Sequence, residues 1–425
     1  MTAHLPAEPP LLIENVRVFD GIDDRVGEPR SVYVAGGRIA AEGEPPAPDA
    51  VRLDGGGRVL MPGLTDAHVH LFAVGVTMPE ALMAPTGVLY YKALAEAHRM
   101  LMRGFTTVRD MGGDTAALRQ VIDGGLFPGP RIYPSQAAIS QTSGHGDFSE
   151  VFQPATAFGG KPSRAEDISF MRVADGPDRV LTSVREQLKR GATQIKLMAG
   201  GGVTSAYDPL DTLQFTEEEL RVAVQAASDW GTYVSVHVFT PEGIRRAVAA
   251  GVRSIEHGQL ADEATIALLA EKGVWLSTQP FLEGDHTFAS ADSREKNRRV
   301  CEGVRQTLEW ARAHGVRIAF GTDMLLDPSQ SHKQNEMLTR LSTQFGFTPV
   351  EALRIATSNN AELFRLAGER DPYRQAELGV IRPGAWADLL VVDGDPTQDL
   401  SLLANPEASL ALIVKGGRVY KNLLG

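Results

Sequence analysis

Apolar and polar residues alternate in short segments at both ends of the chain, and this pattern predicts β-strands. Near the N-terminus, 31–40 has the pattern of two strands joined by a Gly-Gly turn. Near the C-terminus, a second Gly-Gly turn lies within 415–420. Because the two ends share the same turn chemistry, we predict that residues 1–62 and 367–425 together build one small β-sandwich.

The middle of the chain, residues 63–366, alternates apolar strand segments with amphipathic helical segments. Helix starts carry capping residues, such as Thr216 followed by Glu219, and helix ends carry glycine. The predicted strands end at His70, Asp110, Gln136, Met198, Val238, His257, Gln279 and Asp323. About eight strand–helix units in series predict an α/β fold, a closed TIM-like (β/α)8 barrel with its helices outside. An open doubly wound sheet is the alternative, but it gives no reason for candidate ligands on so many strand ends.

Two long segments interrupt this alternation, at 140–175 and 200–214, and both lack a regular hydrophobic period. Loops of this kind at the C-terminal face of a barrel usually form the substrate site. We therefore expect both segments to contribute to substrate binding.

Composition narrows the class of function. The chain has 425 residues, a formal net charge of −11 and 43% hydrophobic residues, which is ordinary for a protein with a sizeable core. The acidic balance offers no basic face, so we expect no nucleic-acid or membrane partner. The single cysteine, Cys301, excludes an intrachain disulfide, and its helical context favours an inert thiol. Residues 1–10 lack a signal-peptide pattern and no apolar run is long enough to span a membrane, so we expect a cytoplasmic protein.

Histidines occur at the predicted strand ends. His68 and His70 are two residues apart on an apolar strand, so both side chains point to the same face and can reach one metal ion. His237 and His257 fall at two further strand ends, in a chain with ten histidines in all. Because the C-terminal strand ends of a barrel carry its chemistry, we interpret these four histidines as one site.

Lys196 and Asp323 extend this site. Lys196 lies in an apolar strand, where a buried ammonium needs either an acidic partner or a changed charge. Beside four strand-end histidines we favour carboxylation by carbon dioxide, which yields an anionic carbamate able to bridge two cations. Asp323 can bind a metal and accept a proton from bound water, or it can cap the segment that follows. Imidazole and carboxylate ligands suit zinc or a similar divalent ion.

These residues and their neighbours resemble the metal-dependent amidohydrolase superfamily. The resembling segments span nearly the whole chain and are 60–64 (LMPGL), 66–70 (DAHVH), Lys196, 235–237 (SVH), 255–258 (IEHG), 321–323 (GTD) and 379–389 (GVIRPGAWADL). The resemblance implies a binuclear site in which Lys196, as a carbamate, bridges two divalent ions. One ion is then bound by His68, His70 and Asp323, and the other by His237 and His257.

Within the superfamily, the chain is similar to the imidazolonepropionase-like and prolidase-like group, through 141–147 (QTSGHGD) and 198–203 (MAGGGV). That group includes Xaa-Pro and other dipeptidases, and amidohydrolases that cleave ochratoxin A. The resemblance implies hydrolysis of an amide bond in an N-acyl amino acid or dipeptide, with Asp323 as the proton carrier. It makes His145 a candidate to hold the substrate carbonyl or carboxylate; on the residues alone, a solvated loop histidine is the alternative. Many relatives carry a tyrosine where this chain has Phe239. Without that hydroxyl the pocket is more apolar, and a more apolar pocket favours substrates with bulky aromatic acyl groups.

Three other functions remain open. A mononuclear deaminase or cyclic-amide hydrolase needs one metal ion, an esterase or lactonase uses the same metals on another bond, and a silent scaffold protein needs no full ligand set. Measuring the metal content of the wild type and of Lys196→Ala distinguishes the mononuclear enzyme from the binuclear one. Activity on a panel of amides and esters distinguishes the esterase and the silent scaffold from an amide hydrolase. The resemblance also implies a homo-oligomer, built from dimers and reaching up to an octamer. The physiological substrate, the native metal and the residues that bind a substrate carboxylate are left undetermined by the sequence.

Overall fold

The structure, a computed structural model, describes residues 8–205 and 207–424. Its strands are β1 (Leu11–Val18), β2 (Arg30–Ala35), β3 (Arg38–Ile39), β4 (Val51–Asp54), β5 (Val59–Pro62), β6 (Leu64–Val69), β7 (Phe105–Asp110), β8 (Arg131–Pro134), β9 (Ala138–Ser140), β10 (Met171–Val173), β11 (Ile195–Met198), β12 (Val234–Val238), β13 (Ser254–His257), β14 (Trp275–Thr278), β15 (Ile318–Phe320), β16 (Leu389–Val392), β17 (Leu410–Lys415) and β18 (Arg418–Asn422). Its α-helices are α1 (Leu71–Val74), α2 (Met78–Met83), α3 (Thr86–Met102), α4 (Ala116–Asp123), α5 (Arg164–Asp167), α6 (Pro177–Lys189), α7 (Glu217–Asp229), α8 (Pro241–Ala250), α9 (Glu263–Lys272), α10 (Ala291–Ala313), α11 (Gln334–Thr343), α12 (Pro349–Arg354), α13 (Asn360–Phe364) and α14 (Pro406–Ser409).

Parallel strands form the middle of the molecule. Seven of them pair in the order β10-β9-β11-β12-β13-β14-β15, and three more pair in the order β6-β7-β8. Backbone hydrogen bonds connect the edges of these two sheets. The amides of Thr322 and Asp323 donate to the carbonyl of His68 (3.1 and 2.6 Å), and the amide of Thr193 donates to that of Pro134 (2.8 Å). The predicted α/β class, with helices between successive parallel strands, is confirmed.

The C-terminal ends of these strands meet at one edge because the strands run parallel. His257 is the last residue of β13, and His70 directly follows β6. The predicted strand ends at Gln136 and Asp323 lie beyond the last paired residues of β8 and β15. Both have left-handed backbone, with φ of 62° and 53°, which interrupts the strand and redirects the side chain.

The two ends of the chain combine in one eight-stranded sheet, ordered β18-β17-β16-β5-β1-β2-β3, with β4 also paired to β1. Strand β1 changes partner along its length: its residues up to Val16 pair with β2, whereas Arg17 and Val18 pair with β5. Asn15, with a φ of 51°, lies just before this change, where the register with β2 shifts between Ile13 and Val16. Both predicted Gly-Gly hairpins are present, and strands from the two chain ends share a separate apolar core.

The irregular segment 140–175 contains short elements that its composition did not predict. Helix α5 and strand β10 form within it, and β10 pairs with β9 in parallel. Elements this short carry too little periodicity to be recognised, because their conformation depends on contacts with the rest of the fold.

Cys301 lies on α10 and is partly buried. Burial raises the pKa of its thiol to about 12, which agrees with the interpretation of an unreactive side chain. None of the helices within the described ranges combines the length and the apolar character that a membrane crossing requires.

One buried ion pair joins the terminal sheet to the parallel strands. Arg131 of β8 donates two hydrogen bonds to Asp388 (2.8 and 3.1 Å), next to β16, and both side chains are almost fully buried. We expect Asp388→Ala to lower the free energy of unfolding by about 3–5 kcal/mol, because the Arg131 guanidinium then stays buried without its partner. Chemical denaturation measures this change. As a control, Asp393→Ala breaks a more exposed pair with Arg58 and should cost no more than about 1 kcal/mol; equal losses would contradict the prediction.

Candidate metal centre

The histidines expected at strand ends lie together at the C-terminal edge of the parallel strands. Their rings follow one another in the order His70, His68, His257 and His237, with centroid separations of 5.4, 5.0 and 4.3 Å. Asp323 Oδ1 lies 3.2 Å from Nε2 of both His68 and His70. Ligand atoms of His68, His257 and Asp323 all lie within 4.8 Å of one another. So compact a cluster of imidazole and carboxylate groups is typical of a divalent metal site.

Hydrogen bonds to Nδ1 determine which ring nitrogen carries the proton in His68 and in His257. His68 Nδ1 lies 2.9 Å from Glu256 Oε2, and His257 Nδ1 lies 2.8 Å from Gln279 Oε1. A carboxylate and an amide oxygen both accept, so each ring carries its proton on Nδ1 and presents Nε2 to the cluster. Burial lowers the pKa of His257 well below its usual range, which favours the neutral ring that a metal ligand needs.

His237 has the opposite tautomer. Its Nε2 lies 3.1 Å from the carbonyl oxygen of Gly201, so Nε2 carries the proton and Nδ1 is free. Nδ1 of His70 is buried and has no hydrogen-bond partner among the described residues, while its Nε2 faces Asp323. Burial lowers the pKa of both rings. The donor set therefore fits metal ions in its chemistry as well as in its distances.

Lys196 is fully buried beside these rings. Its Nζ lies 3.4 Å from His68 Nε2, and within 8–205 and 207–424 no carboxylate forms a salt bridge with it. Burial lowers the pKa of Lys196 to about 8, so a substantial fraction of the amine is neutral near that pH. The neutral amine is the form that can react with carbon dioxide, whereas the alternative of an acidic partner finds no support in these contacts.

Glu256 contacts the histidine cluster, although the sequence argument did not single it out. Its carboxylate is fully buried under His68 and accepts from Arg109 Nη2 (2.8 Å) and from the hydroxyls of Ser235 and Ser254. Although burial raises its pKa, the charge of Arg109 and the hydrogen bond to His68 hold that pKa well below its usual range. The signal was present in the sequence, since a glutamate beside a histidine within an apolar strand needs a buried partner.

Asp323 lies three residues beyond the end of β15. Its side chain is 18% exposed, so it borders the cavity, and its pKa lies well below the usual range because the neighbouring His68 and His70 outweigh the effect of burial. Asp66 holds the preceding residue in place, by accepting from the amide (3.1 Å) and hydroxyl (2.7 Å) of Thr322. The carboxylate of Asp323 is therefore ionised and fixed beside two histidines.

His145 comes from the irregular segment 140–175 and joins the cluster at its other end. Its ring stacks on that of His237 at a centroid distance of 4.3 Å, and its Nδ1 lies 2.8 Å from Ser205 Oγ. Its backbone amide donates to Gln214 Oε1 (2.8 Å). Burial lowers the pKa of the ring. The ring of His145 therefore packs against His237 and lines the same cavity as that ring.

A cavity of about 330 Å³ opens above the cluster. Its polar lining includes His70, His237, His257, Lys196 and Asp323. Its walls are mainly apolar, and their aromatic members are Phe148, Phe170, Phe239, Phe281 and Phe288. Among the described residues that line it, Lys196 is the only lysine or arginine, so an arginine or lysine dedicated to a substrate carboxylate is not found there.

Residues 59–419 match the family model described as the amidohydrolase family. The chain belongs to the amidohydrolase family. This amidohydrolase is 33% identical to ochratoxinase from Aspergillus niger over 85% of this chain and 76% of that protein. It is 26% identical to imidazolonepropionase from Anaeromyxobacter sp. (strain K), over 92% and 90%. It also resembles the crystal structure of a prolidase complexed with N-methylphosphonate-L-proline, with 34% identity and a TM-score of 0.87 over 97% of this chain and 100% of that one.

These likenesses confirm the expected class of activity. The amidohydrolase belongs to the imidazolonepropionase-like and prolidase-like group and hydrolyses amide or peptide-like bonds. The family is generally metal-dependent, which agrees with the His68, His257 and Asp323 cluster. The fold neighbours imply a TIM-like barrel for the parallel strands.

Proposed function

We propose that this amidohydrolase cleaves the amide bond between an aromatic acyl group and an α-amino acid, with ochratoxin A as a substrate and dipeptides as poorer ones. The observation that carries this proposal is the placement of aromatic side chains at both ends of the row of histidines. The likeness to ochratoxinase supports the same choice.

At one end of the row, Phe170 meets His70 edge-on at 5.9 Å and packs against Phe148 at 6.2 Å. At the other end, Phe239 contacts the rings of both His237 (4.9 Å) and His257 (5.1 Å). When the scissile bond of a substrate lies over the histidines, the groups on both sides of that bond therefore face aromatic side chains. An N-aroyl amino acid with an apolar side chain meets both surfaces, and an Xaa-Pro dipeptide with small groups does not.

Two divalent ions, in the first place zinc, complete the proposed site. His68, His70 and Asp323 would hold one ion, His237 and His257 would hold the other, and Lys196, as a carbamate formed from carbon dioxide, would supply an anionic ligand to both. The free nitrogens and the lowered pKa of Lys196 described above support this arrangement. Bound there, the ions supply Lewis acidity to the scissile carbonyl and make the attacking water more acidic.

The side chains of the chain itself divide the remaining tasks. Asp323 accepts the proton of the attacking water and returns it to the leaving amine, which its ionised and partly exposed carboxylate suits. His145 holds the substrate carbonyl or carboxylate from beside His237. The aromatic walls exclude water and orient the acyl group.

The same proposal extends to the architecture. Residues 63–366 form the closed catalytic barrel, supported by the edge-to-edge hydrogen bonds, and 1–62 with 367–425 form the β-sandwich, supported by the change of partner along β1. We also propose a dimer-based homo-oligomer of up to eight copies in the cytoplasm. The nearly complete exposure of Phe152 (97%) and Phe158 (86%) supports the oligomer.

A hydrolysis screen with product identification tests the function. We expect cleavage of ochratoxin A and of N-benzoyl-phenylalanine, with a kcat/KM at least about tenfold above that of N-acetyl-phenylalanine, because burying a phenyl group contributes about 1.5–3 kcal/mol. Chelation should abolish the activity, and zinc should restore it. Equal rates on benzoyl and acetyl substrates would contradict the aromatic-acyl proposal. Cleavage confined to cyclic amides or to esters would contradict the function itself.

A further inference from the structure

A buried lysine outside the metal centre contacts the loop that borders it. Lys296 lies on α10 and is only 6% exposed. Its Nζ donates to the backbone carbonyls of Ser205 (3.3 Å) and Asp208 (3.1 Å), and it pairs with Asp292 at the surface (2.7 Å). Hydrogen bonds from a charged donor to neutral carbonyls are among the stronger ones that a loop can make. Helix α10 is thus hydrogen-bonded to the backbone of Ser205 and of Asp208.

This loop is pressed against His145. A Cβ built on Gly202 would lie 1.9 Å from His145 Nδ1, so the loop backbone packs directly on the imidazole and position 202 admits only glycine. The Ser205 hydroxyl lies 2.8 Å from the same nitrogen. Asp208 accepts from the Gly202 amide (2.8 Å), which joins the described residues on either side of position 206.

We propose that Lys296 is a positioning residue for the hydrolysis, which acts by holding the 202–208 loop against His145 so that Ser205 orients its ring. The inference rests on the proposed function, in which His145 contacts the substrate. Neither Lys296 nor its Nζ lines the cavity, whereas Ser205 and His145 do. The effect of Lys296 on catalysis therefore has to pass through the loop.

The test uses Lys296→Met, which keeps the length of the side chain and removes its donors. We expect kcat/KM for an N-aroyl amino acid to fall by about 10- to 100-fold, because the variant loses one or two hydrogen bonds from a charged donor. The kinetic parameter that changes, kcat or KM, should be the same one that changes in His145→Ala. The double variant Lys296→Met/His145→Ala should be no slower than His145→Ala, because both act through one ring.

Three further measurements separate positioning from a general structural role. Lys296→Arg can still donate to both carbonyls and should recover most of the activity. Asp292→Asn removes only the exposed charge partner and should change kcat/KM by less than about threefold. Hydrogen–deuterium exchange over 202–208 should speed up in Lys296→Met but not in Asp292→Asn, while the melting temperature shows that the fold is retained.

Several outcomes would overturn the inference. Additive losses in the double variant, an unchanged Lys296→Met enzyme, or unchanged exchange over the loop would each do so. Should Lys296→Met fail to fold, Ser205→Ala tests the step through which Lys296 is proposed to act, because it removes the contact to His145 directly. Losses that add to those of His145→Ala would then overturn the inference. An inactive wild-type protein with normal exchange behaviour would instead count against the proposed function.

Discussion

Replacing Lys196 with alanine should leave each subunit with one bound divalent ion in place of two and lower kcat/KM by at least about 10³-fold. Nζ of Lys196 is the only amine in contact with the histidine row, 3.4 Å from His68 within the part of the chain that the structure describes. Without it, the proposed carbamate could not form, and the two sets of histidine ligands would lose the anion that we propose they share. Metal analysis of the purified wild type and variant measures the stoichiometry directly.

Lys415 provides a matched control for this variant. Lys415 is also buried, and burial also lowers its pKa to about 8. Its Nζ donates to the carbonyl of Gly129, and neither residue lines the cavity. Lys415→Ala should reduce stability and leave the metal content at two. Added acetate or formate should partly restore activity to Lys196→Ala, because a small carboxylate can occupy the space of the carbamate. One ion in both wild type and Lys196→Ala would contradict the binuclear site and favour the mononuclear alternative.

Asp323→Asn carries the second large effect. We expect kcat to fall by about 10²–10⁴-fold, the usual contribution of a general acid–base group, while the fold is retained because the amide has nearly the same size. The prediction rests on the proposed role of this carboxylate, which lines the cavity 3.2 Å from two histidine nitrogens. Steady-state kinetics together with the melting temperature and metal content measure the effect.

The control for Asp323→Asn is a carboxylate four residues further along. Asp327 also lines the cavity, but it accepts from the amide (3.1 Å) and hydroxyl of Ser329 within its own turn and has no contact with the histidine row among its hydrogen bonds in the described ranges. Asp327→Asn should reduce kcat by less than about tenfold. Comparable losses in the two variants would argue against a specific proton-transfer role for Asp323. A loss of metal from Asp323→Asn that parallels the loss of rate would assign the residue to metal binding alone.

Much of the site was predictable because strand periodicity is a local property. The i, i+2 spacing of His68 and His70, and the apolar runs that end at His237 and His257, are readable without any contact information. Parallel strands then bring those ends to one edge, and the rings do lie in a row with separations of 4.3–5.4 Å. The family motifs led to the same residues.

Other parts of the site depend on contacts between distant segments. Glu256 and Arg109 are 147 residues apart, and only the closed packing beneath His68 brings them to 2.8 Å. His145 and Lys296 lie in segments whose local pattern indicates a loop and a surface helix. Their roles follow from a shared neighbour, the 202–208 loop, which has no periodicity of its own.

By itself, then, the sequence determined the α/β class, the family and the candidate ligands, because hydrophobic period and residue type act within a few positions of the chain. The tertiary structure decided which nitrogen of His68, His237 and His257 carries the proton, because that depends on acceptors such as Glu256, Gly201 and Gln279. It also decided that the ring of His145 packs against that of His237 and that Lys196 is buried without an acidic partner among the described residues. Tautomer, burial and pKa are set by the surroundings of a side chain, and those surroundings exist only once distant segments have packed together.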